Sequence, residues 1–284
     1  MDTFTLNLAK RALPALHPTV APSNLHQPHP VFGMPFAVGN TATLYHYDNM
    51  AVKLFNPLSS KDEAMREYHK HAFAYSLKVP TPKVDRVEII DHQQALIMDY
   101  VEGQPLGEKN VHSPEALIGV LATAIQLQQY LHQIQIKEVN QMEQLRTKIE
   151  KQIQSVEELS IQKRSELTLR LDDFSKTSPC PCLCHGDFHF LNILSTKAGH
   201  VIIDWVDASI GDPLADVCRS YLLYINHSQA LGELYLHLYC AATGVSEDAI
   251  LKWLPILACA RLAEKVPSDD RARLFQMIDT DLAH

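Results

Sequence analysis

No apolar run in the sequence approaches the ~20 residues that a membrane-crossing helix needs, which sets aside a helical membrane protein. An excess of basic residues is also missing: 25 Lys and Arg stand against 33 Asp and Glu, a formal charge of −8. Phosphate backbones are held by clustered Lys and Arg, so a nucleic-acid binder is disfavoured and a cationic small molecule is compatible. Cysteine occurs six times but in no disulfide framework. Cys180, Cys182 and Cys184 crowd into one stretch, and Cys218, Cys240 and Cys259 stand alone in apolar helical patterns. That usage fits a reducing compartment. The N-terminus carries Lys10 and Arg11 and lacks the apolar core of a signal peptide, so a soluble, cytoplasmic protein is expected. No internal repeat is evident. With 284 residues the chain can bury a large core, as one domain or two lobes.

The stretch from His185 to Asp204 carries the chemistry. Asp187 is followed five positions later by Asn192 and then by the pair Ile193-Leu194. After a turn through Lys197 to Gly199, the apolar run Val201-Ile202-Ile203 ends in Asp204 and Trp205. Phosphoryl transfer needs one carboxylate to orient a hydroxyl, and an amide with a second carboxylate to hold magnesium. The spacing from Asp187 to Asn192 equals that of the protein-kinase catalytic loop.

Along the chain, residues 3–12 read as a short amphipathic helix. Pro14, Pro18, Pro22, Pro28 and Pro30 then exclude regular structure up to Phe32. His17, His26 and His29 fall in this arm, residues 1–30, with no Cys or carboxylate to complete a metal site, and are read as incidental. Strands follow at Phe36–Val38, Leu44–Tyr47 and Ala51–Phe55, with the turn Gly39-Asn40-Thr41-Ala42-Thr43 between the first two. Lys53 sits among Val52, Leu54 and Phe55. A lone Lys there is commonly a snorkelling edge residue, but a glycine-containing turn one strand earlier can cover phosphates that such a Lys reaches. A helix is expected over 61–77 with Glu63 and Glu67 available, then strands at Lys83–Ile90 and Ala95–Met98. The remainder reads as helical: Pro114–Gln135, amphipathic segments to about Phe174, a helix capped by Asp212-Pro213, then Leu231–Thr243, Glu247–Ala263 bent at Pro255, and Asp269–Leu282.

Taken together, Cys184-His185-Gly186-Asp187-Phe188-His189 with Asn192, Ile203-Asp204-Trp205 and Gly211-Asp212-Pro213-Leu214-Ala215-Asp216 resemble the aminoglycoside phosphotransferase and choline kinase-like family. Arg66-Glu67 before Val79-Pro80-Thr81-Pro82, and Ala260-Arg261-Leu262-Ala263-Glu264, resemble family segments in the same order. The resemblance implies an α+β, protein-kinase-like fold: an N-terminal lobe over 31–103 with a small antiparallel sheet and one helix, and a larger helical lobe over 104–284. It implies ATP or GTP as co-substrate and Mg2+ as cofactor. Asp187 would be the catalytic base, Asn192 and Asp204 the metal ligands, and Lys53 a phosphate contact paired with Glu67, with Glu63 as a rival for that pairing. Gly39, Asn40, Thr41 and Thr43 would lie over the phosphates. Asp99, Tyr100 and Val101 would form the hinge that meets the base. The acceptor, an aminoglycoside or other amine-bearing molecule, would bind the helical lobe over roughly 138–175 and the C-terminal region, with Asp207 and Glu264 as candidate contacts. No nucleic-acid or membrane partner is expected.

Two departures stand out: Gly39 is alone where many kinases have several glycines, and Phe190-Leu191 precede Asn192 where the family commonly has Pro-Gly. His185 and His189 are read as structural, Asp212 and Asp216 as capping and loop-anchoring groups, and Cys180, Cys182 and Cys184 as buried thiols on a strand. A nucleotide-binding protein without catalysis is the rival reading. A protein kinase is a weaker one, because no Asp-Phe-Gly and Ala-Pro-Glu pair marks an activation segment.

Overall fold

The structure is a computed structural model that describes residues 2–16, 28–39, 41–57, 59–108, 111–134, 136, 142–177 and 181–279. Asn40, His17, His26, Pro18, Pro22 and Cys180, all invoked above, lie outside the described residues. The chain divides into two compact units: Pro18–Glu108 with Leu191–Asp207, and Met1–His17 with Lys109–Phe190 and Ala208–His284. Two segments therefore depart from the divisions drawn along the sequence. The first helix belongs to the second unit, and the hairpin that follows the central loop belongs to the first.

The first unit is a sheet unit. Helix α1 (Thr3–Ala12) precedes it in the chain, and its strands are β1 (Ala37–Val38), β2 (Ala42–Tyr47) and β3 (Met50–Phe55). Then come α2 (Glu63–Ser76), β4 (Val84–Ile90), β5 (Gln93–Asp99) and β6 (Gln104–Pro105). The first five strands make an antiparallel sheet in the order β1-β2-β3-β5-β4. Its two tight hairpins turn at Asp48-Asn49 and Asp91-His92, where all four residues have positive φ. Asp and Asn tolerate this backbone, and its twist matches that of the flanking strands. β3 is buried along nearly all its length because both faces are covered. One face packs Ala51, Phe55, Leu96 and Met98 with Ala64 of α2, and the other packs Tyr45, Val52, Leu54 and Ala95 under Phe32 and Ile90. Strand alternation thus sends Lys53 to the α2 face. His29 stacks on Phe32 at 4.6 Å, so this end of the proline-rich arm is packed.

The second unit is helical. It holds α3 (Pro114–Gln133), α4 (Leu145–Ser155), α5 (Ile161–Thr177) and β7 (Cys182–Cys184). The chain then forms β8 (Ile193–Thr196) and β9 (Gly199–Ile202), which pair with β6 in the sheet unit. It returns through β10 (Ser209–Gly211), which pairs with β7. Helices α6 (Pro213–His227), α7 (Gln229–Thr243), α8 (Glu247–Leu251), α9 (Leu254–Ala263) and α10 (Arg271–Ile278) complete the unit. Side chains of Ser113, Asp212, Ser246 and Asp270 cap α3, α6, α8 and α10. α1 is capped by Asp2 and packs against α3 and α7.

One expectation is corrected. The segment Glu247–Ala263 is two helices, not one bent helix, because Pro255 lacks an N–H and crowds the preceding turn. The first helix ends at Leu251, and Pro255 takes a place in the first turn of the second.

Where α6 meets α7, Gly232 leaves room for Ile225: a Cβ at 232 would lie 2.1 Å from Ile225 Cγ2. Gly232→Ala is therefore expected to destabilise the protein by about 1–3 kcal/mol, the usual cost of overpacking, read as a lowered denaturant midpoint at unchanged slope.

Candidate active site

The central loop leaves β7, whose three residues are all buried, and is fixed immediately by α6. His185 is fully buried, and its Nδ1 accepts the Asp187 N–H at 3.3 Å. Gly186 adopts φ +79°, a conformation that costs glycine nothing. Both of its peptide groups are held by α6. Its N–H donates to Asp216 Oδ1 at 2.8 Å, and its carbonyl accepts from Arg219 Nε at 3.0 Å. Further along, the Phe190 N–H donates to the Tyr224 hydroxyl at 3.1 Å. Asp187 lies between these anchors. Burial alone would push its carboxyl up, but His189, whose Nε2 is 3.5 Å from Asp187 Oδ2, together with Arg219 and His185 holds it well below the usual carboxylate range.

Asp216 is itself buried, and Asp216 Oδ2 meets His132 Nε2 at 2.9 Å and Gln128 Nε2 at 3.1 Å. Gln128 Oε1 in turn accepts the Tyr235 hydroxyl at 2.5 Å. Burial pushes the Asp216 carboxyl up, and the bonds from His132, Gly186 and Gln128 outweigh it, for a net lowering.

In the sheet unit, the β8–β9 hairpin pairs Ile193 with Ile202. The Ile203 N–H donates to the Asn192 carbonyl at 3.0 Å, which continues the ladder one step. The hairpin thereby brings Asn192 and Asp204, twelve positions apart in sequence, to its open end. Asp204 stands at φ +66°, a left-handed conformation that an Asp adopts at modest cost. The residues around it are tied to α2 and to the strap after it. Trp205 Nε1 donates to Thr81 Oγ1 at 2.9 Å, Thr81 Oγ1 meets His71 Nε2 at 2.8 Å, and Lys70 Nζ donates to the Val206 carbonyl at 2.9 Å. Lys53 Nζ donates to both Glu67 oxygens, at 2.8 and 2.9 Å, and to Asp204 Oδ1 at 2.9 Å. Glu63 instead accepts from the Ser60 N–H. Burial tends to lower the Lys53 ammonium, but Asp204 and Glu67 outweigh it and hold it charged. Burial raises the Glu67 carboxyl to about 7 against the pull of Lys53.

Asn192 and Asp204 offer hard oxygen donors, the kind magnesium takes together with phosphate oxygens and water. Among the described residues no group of three or more His, Cys, Asp or Glu stands ready for a metal, so an ion here would draw most of its shell from phosphate and water.

The other sequence candidates fall as follows. The turn before β2 is closed by the Gly39 N–H on the Ala42 carbonyl at 2.9 Å. A Cβ at 39 would make only ordinary contact, so the turn itself does not demand glycine. Thr41 is exposed, and Thr43 is half-buried. At the end of β5 the Asp99 and Tyr100 amides are spent on the Lys83 and Asn49 carbonyls, while Tyr100 stacks on His46 at 3.9 Å. Asp207 is half-buried in the sheet unit. Glu264, in the helical unit, accepts from Arg219 at 2.8 Å and Arg261 at 2.9 Å. Cys182 and Cys184 are buried with their sulfurs 3.9 Å apart. Sequence reasoning missed Arg219, Gln128, His132 and the His71-Thr81-Trp205 relay. Arg219 had a signal, since it follows Asp216 by three residues on one helix.

Residues 35–254 match the model of the phosphotransferase enzyme family. The chain belongs to that family. Among solved structures, it is similar to the aminoglycoside phosphotransferase APH(4)-Ia, at 14% identity and a TM-score of 0.63 over 87% of this chain and 91% of that one. A thermostable mutant of that enzyme has been solved as a ternary complex with ADP and hygromycin B. The choline kinase LicA from Streptococcus pneumoniae is similar at 17% identity and a TM-score of 0.54, over 84% of this chain and 89% of that one. At such identities the likeness is one of fold, and the fold is the α+β, protein-kinase-like one of these enzymes. No curated protein sequence matches the chain. No described helix is long and apolar enough to cross a membrane.

Because the fold lowers the Asp216 carboxyl, its stabilisation is complete above the unfolded value near ~3.9 and is lost as pH falls through the folded one. Asp216→Asn is expected to cost on the order of 3 kcal/mol at neutral pH. The gap to wild type, followed by urea unfolding, should narrow only below about pH 4.

Proposed function

We propose that the protein transfers the γ-phosphoryl group of a nucleoside triphosphate, ATP or GTP, to a hydroxyl of a small molecule. The observation that carries this reading is the Lys53-Glu67-Asp204 cluster, with Asn192 at the same hairpin end and the anchored Asp187 five residues before it in the chain. In this reading Asp187, held ionised by His189 and Arg219, orients the acceptor hydroxyl and takes its proton as the new O–P bond forms, while the bond from the γ-phosphorus to the β–γ bridging oxygen breaks and releases the nucleoside diphosphate. Lys53 contacts the phosphates, and Glu67 keeps its ammonium in place. Asn192 and Asp204 would hold magnesium, which would neutralise phosphate charge when bound. Gly39, Asn40, Thr41 and Thr43 lie over the phosphates. Because the Asp99 and Tyr100 amides are committed within the sheet, Val101 is the hinge donor to the base. The buried free cysteines and the nucleotide requirement support a cytoplasmic setting.

The similar enzymes act on acceptors as different as an aminoglycoside and choline, so the family fixes the reaction class and leaves the acceptor open. A binding protein without catalysis would have little use for an ionised Asp187 in one unit and the Lys53-Glu67-Asp204 cluster with Asn192 in the other.

Asp187→Asn tests the assignment. Turnover with magnesium nucleotide and a panel of sugars, amino alcohols and aminoglycosides is expected to fall at least ~10³-fold, as when a group central to the chemistry is removed. Nucleotide affinity by calorimetry should stay within about twofold. Undiminished turnover in the variant would remove Asp187 from the mechanism.

A further inference from the structure

Helix α6 meets the loop at a second point beyond Gly186. Phe190 opens a single 3-10 turn over Phe190–Asn192, and the first N–H groups of such a turn have no partner within it. Phe190 is only 4% exposed, so solvent is a poor substitute. The partner is the hydroxyl of the equally buried Tyr224, which accepts the Phe190 N–H at 3.1 Å. A buried amide that loses its acceptor bears the whole cost of having left water, which drives the segment to shift until the donor is met again.

Three helices place that hydroxyl. Tyr224 shares a face of α6 with Asp216 and Ser220, at four-residue intervals. Its ring packs against Phe190 at 5.4 Å and against Tyr235 of α7 at 4.9 Å. The Tyr235 hydroxyl donates to Gln128 of α3, which donates in turn to Asp216 Oδ2 and Ser220 Oγ. The acceptors of Gly186 and Phe190 therefore stand on one helix and are tied through one network. Burial pushes the Tyr224 phenol well up, so its hydroxyl stays neutral and is no acid or base for the reaction.

We propose that Tyr224 is a positioning residue for phosphoryl transfer. Its hydroxyl fixes the Phe190 end of the loop as Asp216 and Arg219 fix the Gly186 end, and turnover depends on that one oxygen. This role rests on the phosphotransferase reading, with Asp187 as base. Asp187 lies one residue after Gly186 and three before Phe190, so release of either anchor moves its carboxylate relative to the acceptor hydroxyl.

Tyr224→Phe in the full-length protein removes the hydroxyl and keeps the ring. The assay uses magnesium ATP and whichever of a panel of sugars, amino alcohols and aminoglycosides the wild type turns over fastest. There kcat is expected to fall roughly tenfold, short of the ~10² that an ångström's misplacement costs. Nucleotide affinity by calorimetry should stay within about twofold. The pH dependence of kcat should keep its shape, because the phenol does not ionise. Deuterium exchange, read by mass spectrometry on peptides spanning Phe188 to Asn192, should be at least about tenfold faster in the variant.

A second substitution isolates the amide. Phe190→Pro removes the N–H, and proline is accepted at the first position of a helical turn. In that background Tyr224→Phe is expected to change kcat by less than about twofold, since no donor is left to satisfy. An equal loss in both backgrounds, or a Tyr224→Phe enzyme with wild-type kcat, overturns the proposal. So does unaltered exchange in Tyr224→Phe, a reading that needs no acceptor and holds even where Phe190→Pro does not fold. Absence of transfer from the wild type to any acceptor overturns the phosphotransferase reading, and the exchange result then decides the anchor alone.

Discussion

The buried carboxylate of Asp216 is the constraint on which the central loop depends. Removing an ion from water costs several kcal/mol, and this cost is recovered only when donors surround it. Gly186, His132 and Gln128 supply those donors, and they come from the loop and from α3. Arg219, one helical turn further along α6, holds the next peptide through the Gly186 carbonyl. The loop is thus clamped through its backbone at the one residue whose φ requires glycine. Asp187 follows that clamp, its carboxyl held below the usual range chiefly by His189, with Arg219 and His185 adding to it. Arg219 serves both, since it holds the Gly186 carbonyl and helps keep the Asp187 carboxyl ionised.

The sheet unit uses a different device. There the buried group is Lys53, placed on the α2 face by strand alternation and met by Glu67 from one side and Asp204 from the other. The β8–β9 hairpin makes this possible, since its register alone determines that Asn192 and Asp204 end together. The relay from His71 through Thr81 to Trp205, with Lys70 on the Val206 carbonyl, fixes the residues beyond Asp204 to the helix that carries Glu67. A loop residue in the left-handed region is tolerated because both its flanks are held.

Much of this was legible in the sequence for physical reasons. Strands and hairpins were readable because Asp48-Asn49 is a turn pair with a known backbone preference, and Asp212-Pro213 marks a helix start by its side-chain acceptor and missing N–H. The central motif was legible because its spacing encodes a hairpin that brings Asn192 and Asp204 to one end. Other parts were not. That Glu67 rather than Glu63 reaches Lys53 depends on the rotation of α2 against β3, which periodicity leaves open by one turn. The break before Pro255 was read as a bend because the surrounding apolar pattern continues through it. The neutralisation of Glu264 was hidden altogether, since Arg219 lies 45 positions away and only the packing of α6 on α9 brings them together. A carboxylate that looks available in sequence is, in the fold, part of an ion-pair chain.

Asp216 positions the central loop through Gly186 and stands in the helical unit, apart from the Lys53-Glu67-Asp204 cluster of the sheet unit. The direct measurement is kcat beside the affinity for magnesium ATP in Asp216→Asn, at a temperature where the variant remains folded. The account expects kcat to fall by roughly 10²-fold, the scale of an ångström's misplacement of a reacting group, with nucleotide affinity within about twofold of wild type. A variant that keeps its kcat, or loses nucleotide affinity in the same proportion as turnover, would contradict it.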